Sequence, residues 1–239
     1  MLVVGASALL FGVTSASAQL VQKWFGTSKF VAVLVDVSMS VSDDDRKIYV
    51  ATFGRMIDAL GPEDRVVLVP VSDRSLTGFV ANVDVVLPKD SGSLRDKERL
   101  QHARSDLNGA FLARLDGAKS KKTFLLDGFN VCQQLFEADK GKKRKERWII
   151  VLSDMLEDSD YGDFERMKLT SDVVSTLLER RRAAGSLPRL DGVRVWVAGA
   201  RAKNMAKFNE VREFWERYLK ETGARLEPGA YVRDGLQFK

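Results

Sequence analysis

Three oxygen-bearing side chains at alternate positions, Asp36, Ser38 and Ser40, stand directly after the apolar run 30–35. An aspartate at a strand end, with two hydroxyls at two-residue spacing in the following loop, sets three oxygen donors about one point. Oxygen-only donor sets select hard cations such as Mg²⁺, with Mn²⁺ or Ca²⁺ as alternatives. A second carboxylate, Asp154, follows the apolar run 148–152 and Ser153. Between these two points Thr123 stands where a new helix opens, so it can offer a further hydroxyl from a helix-start loop. The chain has one histidine, His102, and one cysteine, Cys132. Chemistry needing two imidazoles and His-rich zinc sites are therefore excluded, and oxygen ligation is what remains.

The elements that must position these groups can be read from the apolar pattern. With 239 residues, 45% hydrophobic and 30% charged, the chain suits one well-cored domain, expected over 28–236. That composition excludes intrinsic disorder, collagen-like repeats and a disulfide scaffold. Continuous Val/Ile/Leu runs at 30–35, 66–71, 148–152 and 193–200 suit strands covered on both faces. Helices are expected at 44–60, 94–114, 125–138, 164–184 and 204–222, with Ser42 and Asp45 as a capping pair for the first. The alternating segment 77–87 reads as an edge strand, and a last strand is expected at 230–233. Strand and helix alternate along the chain, which predicts a three-layer, doubly wound α/β fold. Its central sheet would be mostly parallel with one antiparallel edge strand, and helices would cover both faces. In such folds ligands bind outside the carboxyl ends of the strands, where Asp36 and Asp154 fall.

This set resembles the von Willebrand factor A domain, whose metal-ion-dependent adhesion site reads D-x-S-x-S, then a threonine, then an aspartate. Asp36, Ser38 and Ser40 match the first element, Thr123 with Gly128 five residues on is similar to the second, and Asp154 to the third. The order of elements agrees from about residue 30 to 233. There are two departures. Met155 stands where the family often has glycine, and the threonine loop reads Lys119-Ser120-Lys121-Lys122, which leaves Ser120 as the alternative to Thr123. The resemblance implies that Ser38, Ser40 and Thr123 touch the ion directly while the two aspartates act partly through water. It further implies a non-enzymatic module whose metal captures a carboxylate of a protein partner, with Lys119, Lys121 and Lys122 adding attraction for an acidic surface.

Other readings of the same residues stay open at this point. Asp36, Ser38 and Ser40 could cap a polar strand-to-helix turn, and Thr123 could be a simple helix cap. A PIN-like, Mg²⁺-dependent nuclease also opens with a strand ending in Asp-x-Ser. A metal-free structural domain is the third view. The acidic cluster Glu157, Asp158, Asp160, Asp163 and Glu165 lacks a calcium-loop frame and reads as an acidic helix start. The basic tract Lys140 to Arg147 holds six basic residues with no interleaved aromatic, so nucleic acid is not expected. With Arg180, Arg181 and Arg182 it reads as a solvated basic face opposite the strand tips, or as a second contact for an acidic or membrane surface. Phe208, Phe214, Trp215 and Tyr218 read as one apolar helix face in the core. Before Lys23 no residue is charged, and the apolar run 2–13 followed by Ala16-Ser17-Ala18 reads as a signal peptide over 1–18. That predicts an exported, periplasmic or secreted protein, monomeric by default. If the segment is not cleaved, the protein would be membrane-anchored or cytoplasmic.

Overall fold

The computed structural model describes residues 28–73, 83–117, 120–139, 144, 146–233 and 236. The expected signal segment and most of the edge segment 77–87 lie outside them, as do Lys119 and most of the basic tract.

Eight strands and five helices alternate along the described residues. The first half runs β1 (Lys29–Asp36), α1 (Asp43–Asp58), β2 (Arg65–Val71), β3 (Asp84–Val86), α2 (Leu94–Leu115) and α3 (Leu125–Ala138). The second runs β4 (Glu146–Leu152), β5 (Asp158–Ser159), β6 (Gly162–Asp163), α4 (Ser171–Ala183), β7 (Arg194–Ala198), α5 (Met205–Thr222) and β8 (Arg225–Val232). Six strands form one sheet in the order β3-β2-β1-β4-β7-β8. All of its pairings are parallel except β2 with β3. This is the doubly wound, mostly parallel sheet expected from the apolar runs, with its antiparallel edge strand inside the alternating segment 77–87.

Alternation along β1 divides the core. Phe30, Ala32 and Leu34 face α3, α4 and α5, whereas Val31, Val33 and Val35 face α1 and α2. Because every residue of β1 is buried, neither face can turn to water, which is why the strand reads as an unbroken apolar run. On the first face Phe129, Trp215 and Tyr218 form a ring cluster, with Phe164 and Phe214 edge to face at 4.6 Å. On the second, Phe53 and Phe111 stack at 3.9 Å and join α1 to α2. Phe214, Trp215 and Tyr218 are core residues of α5, as expected, and Phe208 is partly buried against the same core.

Ser42 caps α1 through a full capping box. Its hydroxyl accepts the Asp45 amide at 3.2 Å, while an Asp45 carboxylate oxygen accepts the Ser42 amide at 2.9 Å. Three expectations need correction. The helix expected over 164–184 begins only at Ser171, capped by Thr170, because Phe164 is an anchor buried in the core and not the start of a helical face. The acidic cluster is not a helix start: Asp158–Ser159 and Gly162–Asp163 pair as a two-stranded ribbon, and Glu157 is buried. Of the three arginines read as solvated, Arg180 and Arg182 are exposed, but Arg181 is 1% exposed and donates to the carbonyls of Leu126 and Ser186.

Candidate metal centre at the strand tips

Strands β1 and β4 are neighbours, with Val35 opposite Leu152, yet the chain leaves them in opposite directions across the sheet. Their carboxyl ends therefore form the topological switch point, the crevice in which doubly wound folds bind ligands. Asp36 ends β1, and Ser153 and Asp154 directly follow β4.

Asp36 is fully buried. One carboxylate oxygen accepts the Ser38 amide at 2.9 Å, and the other accepts the Ser153 hydroxyl at 2.8 Å. Those contacts bend the chain after β1 so that the Ser38 and Ser40 hydroxyls lie 2.7 Å apart. Ser38 is buried and Ser40 is exposed, which makes the serine pair a path from the buried carboxylate to solvent. Asp154 accepts the Leu156 amide at 3.0 Å and is 3% exposed. Burial and then repulsion from Asp36 push its carboxyl up to about 7. Burial raises Asp36 too, against the hydrogen bonds from Ser38 and Ser153.

Thr123 reaches the same end of the sheet through two backbone ties. Ser120 pairs with Ser38 in a parallel bridge, donating its amide to Val37 O at 3.0 Å and accepting Met39 N–H at 2.8 Å. Thr123 pairs with Asp158, amide to carbonyl in both directions at 3.2 and 3.0 Å. The loop is thus stitched to the Asp36 loop at one end and to the Asp154 loop at the other. The Ser120 hydroxyl is committed within the structure, accepting the Asp73 and Lys122 amides at 3.1 and 3.2 Å. The Thr123 side chain makes no hydrogen bond among the described residues, so of the two it is the hydroxyl with donor capacity to spare. Of the flanking lysines, Lys121 is exposed and Lys122 pairs with Asp158 at 2.6 Å.

Two further groups belong to this centre, and only one had a readable signal. Asp45, read as a helix cap, also faces inward and is bound by Arg201 in a two-pronged contact at 3.0 Å to each oxygen. Arg201 lies just beyond the apolar run 193–200 at the tip of β7, the same kind of position that singled out Asp154. Beneath them the fully buried Tyr49 hydroxyl has no hydrogen-bond partner among the described residues. Burial, with Asp36, Asp154 and Asp45 nearby, raises its pKa well above the ordinary value.

The donor set suits a hard cation. When ionised, three buried carboxylates face one guanidinium, and Asp36 forms no ion pair among the described residues. No cluster of three or more His, Cys, Asp or Glu with metal-holding geometry exists among the described residues, so a bound cation would have to rest on hydroxyls as well as carboxylates. The departure at Met155 has a structural meaning. Its φ of 68° is the left-handed conformation that glycine adopts easily, here held by the Ser153 hydroxyl on its amide and the Trp215 indole on its carbonyl.

No known family profile matches the chain, and no curated protein matches it in sequence. Among solved structures, it is similar to the manganese-loaded TRAP protein of Plasmodium vivax at 16% identity and a TM-score of 0.43, covering 77% of this chain and 62% of that one. It is also similar to the pilus adhesin SpaC of Lactobacillus rhamnosus GG in its open conformation, at 14% identity and a TM-score of 0.46, covering 85% and 28%. A von Willebrand factor type A structure from Catenulispora acidiphila aligns at 9% identity and a TM-score of 0.36, covering 82% and 42%. The chain matches less than two thirds of each of these structures. In strand order and edge polarity, its fold is the doubly wound, mostly parallel one with an antiparallel edge strand.

Proposed function

We propose that this chain is a metal-dependent protein-binding module of the von Willebrand factor A type. Ser38, Ser40 and Thr123 would hold Mg²⁺, or Mn²⁺ or Ca²⁺, with Asp36 and Asp154 completing the set in part through water. The observation that carries this reading is the meeting of Asp36, with its serine pair, and Asp154 at the β1/β4 switch point. A divalent ion held largely by neutral hydroxyls keeps most of its positive charge, so it attracts a further anionic ligand at an open position. A carboxylate of a partner protein is that ligand. A hydrolytic reading is less well supported, because the third carboxylate, Asp45, is engaged by Arg201 instead of being free to hold a second ion or activate water.

Export, proposed from segment 1–18, would place the partner outside the cytoplasm. No helix among the described residues is long and apolar enough to cross a membrane. Capture of partner proteins on the immobilised chain, in Mg²⁺ and in chelator, tests the function. A partner retained only with the ion, and not by Asp36→Ala, supports the proposal. A partner retained equally in chelator would contradict it.

A further inference from the structure

The guanidinium of Arg201 is the only cationic group shown against the carboxylates of the proposed metal centre among the described residues. It reaches the centre from the tip of β7, on a backbone with little freedom. Gly199 has φ +93°, and a Cβ there would meet the Tyr49 ring at 2.5 Å, so this turn admits only glycine without rearrangement. Gly199 and Ala200 donate their amides to Arg233 and Val232 carbonyls, and the Arg201 amide donates to Asp154 O at 3.2 Å. From that platform Nε and Nη2 grip Asp45, Nη2 also donates to Ser40 O at 3.0 Å, and Nη2 lies 3.8 Å from Asp154 Oδ2. One side chain therefore touches the serine loop, the first turn of α1 and the tip of β4.

We infer that Arg201 is a built-in counter-ion of the metal centre, a positioning residue whose permanent charge holds the serine loop in place while weakening affinity for the divalent ion. This inference rests on the function proposed above. The physical reasons are two. A guanidinium does not deprotonate under any ordinary condition, so it opposes a divalent ion at every pH. It also neutralises Asp45 and lies close to Asp154, which lowers the negative charge available to the ion. The centre then keeps its shape without metal, and its affinity is set below what three unpaired carboxylates would give.

The test is calorimetric titration of Mg²⁺ and of Mn²⁺ into the full chain and into Arg201→Gln, Arg201→Lys and Asp45→Asn, with thermal melting in chelator to verify folding. Gln keeps a donor for Asp45 and Ser40 O but carries no charge. Arg201→Gln is expected to bind the ion about tenfold more tightly or better, and Arg201→Lys to stay within about threefold of the parent. Asp45→Asn, which leaves the guanidinium uncompensated, is expected to bind about tenfold more weakly. Unchanged or weaker binding by folded Arg201→Gln overturns the inference. If that variant does not fold, the direction of the Asp45→Asn change decides: weaker binding supports the inference, and tighter or equal binding overturns it. Ion binding by the parent with no response to these variants removes this inference alone. Absence of ion binding in the parent and in every variant removes the proposed function with it.

Discussion

Replacing Glu157 with Gln should make the protein more stable at alkaline pH and abolish one component of its pH dependence. Glu157 is 1% exposed. One carboxylate oxygen accepts the Leu126 amide at the start of α3 at 3.0 Å, and the other has no partner among the described residues. Burial pushes its carboxyl from 4.5 up to about 8, against the opposing pull of Ser159, the Leu126 amide and Arg181. Because the folded-state pKa is raised, the folded protein keeps a proton that the unfolded chain releases between these two values. The contribution of Glu157 is therefore fully present below about pH 4.5 and is lost as pH rises to about 8. At 1.36 kcal/mol per pH unit, a rise from 4.5 to about 8 corresponds to about 5 kcal/mol across that window. Gln stays neutral throughout, and its carbonyl can accept the same amide. Denaturant unfolding of both proteins in chelator, from pH 5 to 9, isolates the effect, because Asp36 and Asp154 titrate in both and cancel in the difference. The variant should match the parent near pH 5 and gain on it steadily up to pH 8. Parallel stability curves would refute the assignment of a buried, proton-holding carboxyl at this position.

Three other substitutions probe the scaffold. Asp64→Ala strands Lys29, whose ammonium and amide bind Asp64 at 3.2 and 2.7 Å with both side chains almost fully buried. The expected loss is about 3–5 kcal/mol by urea unfolding, and a loss below about 1 kcal/mol would show that the pair does not hold β1 to the turn before β2. Met155→Gly removes a fully buried side chain, costing about 2–3 kcal/mol, while relieving about 1 kcal/mol of left-handed backbone strain. A net loss of about 1–2 kcal/mol is expected in the same assay, and a stabilised variant would mean that the side chain contributes no packing. Ser42→Ala breaks the capping box of α1 and should cost about 1 kcal/mol in thermal unfolding, whereas no change in melting temperature would deny the cap a role.

The sheet was legible because parallel strands buried on both faces must be continuously apolar, and the four long runs were read to within a few residues of their ends. Helix α3 was read end to end and α2 to within one residue, because an amphipathic face sits between clear boundaries. The segment before α4 was not legible: Phe164 and Met167 carry a helix-like spacing, but they serve as contacts of an irregular segment with the core. The five proposed donors could be picked out because strand-tip position and residue type are both local properties. Glu157, Arg181 and Arg201 were missed as buried or site-facing groups for the opposite reason. Whether a charged side chain turns inward depends on partners about 30 to 160 positions away, such as Leu126 for Glu157, the same helix for Arg181 and Asp45 for Arg201. Arg201 still had one usable sign, its place at the end of an apolar run.

The most direct test of the central claim is calorimetric titration of Mn²⁺ and Mg²⁺ into the parent chain, Asp36→Asn and Asp154→Asn at neutral pH. Melting in the presence and absence of the ion serves as a second readout. The account predicts one binding site in the parent, and ion-dependent stabilisation of about 2.7 kcal/mol at an ion concentration one hundred times the dissociation constant. Both variants should remain folded in chelator and bind the ion at least about tenfold more weakly. Binding of equal strength in the folded variants, or a parent whose melting temperature no divalent ion changes, would contradict a metal centre at the tips of β1 and β4.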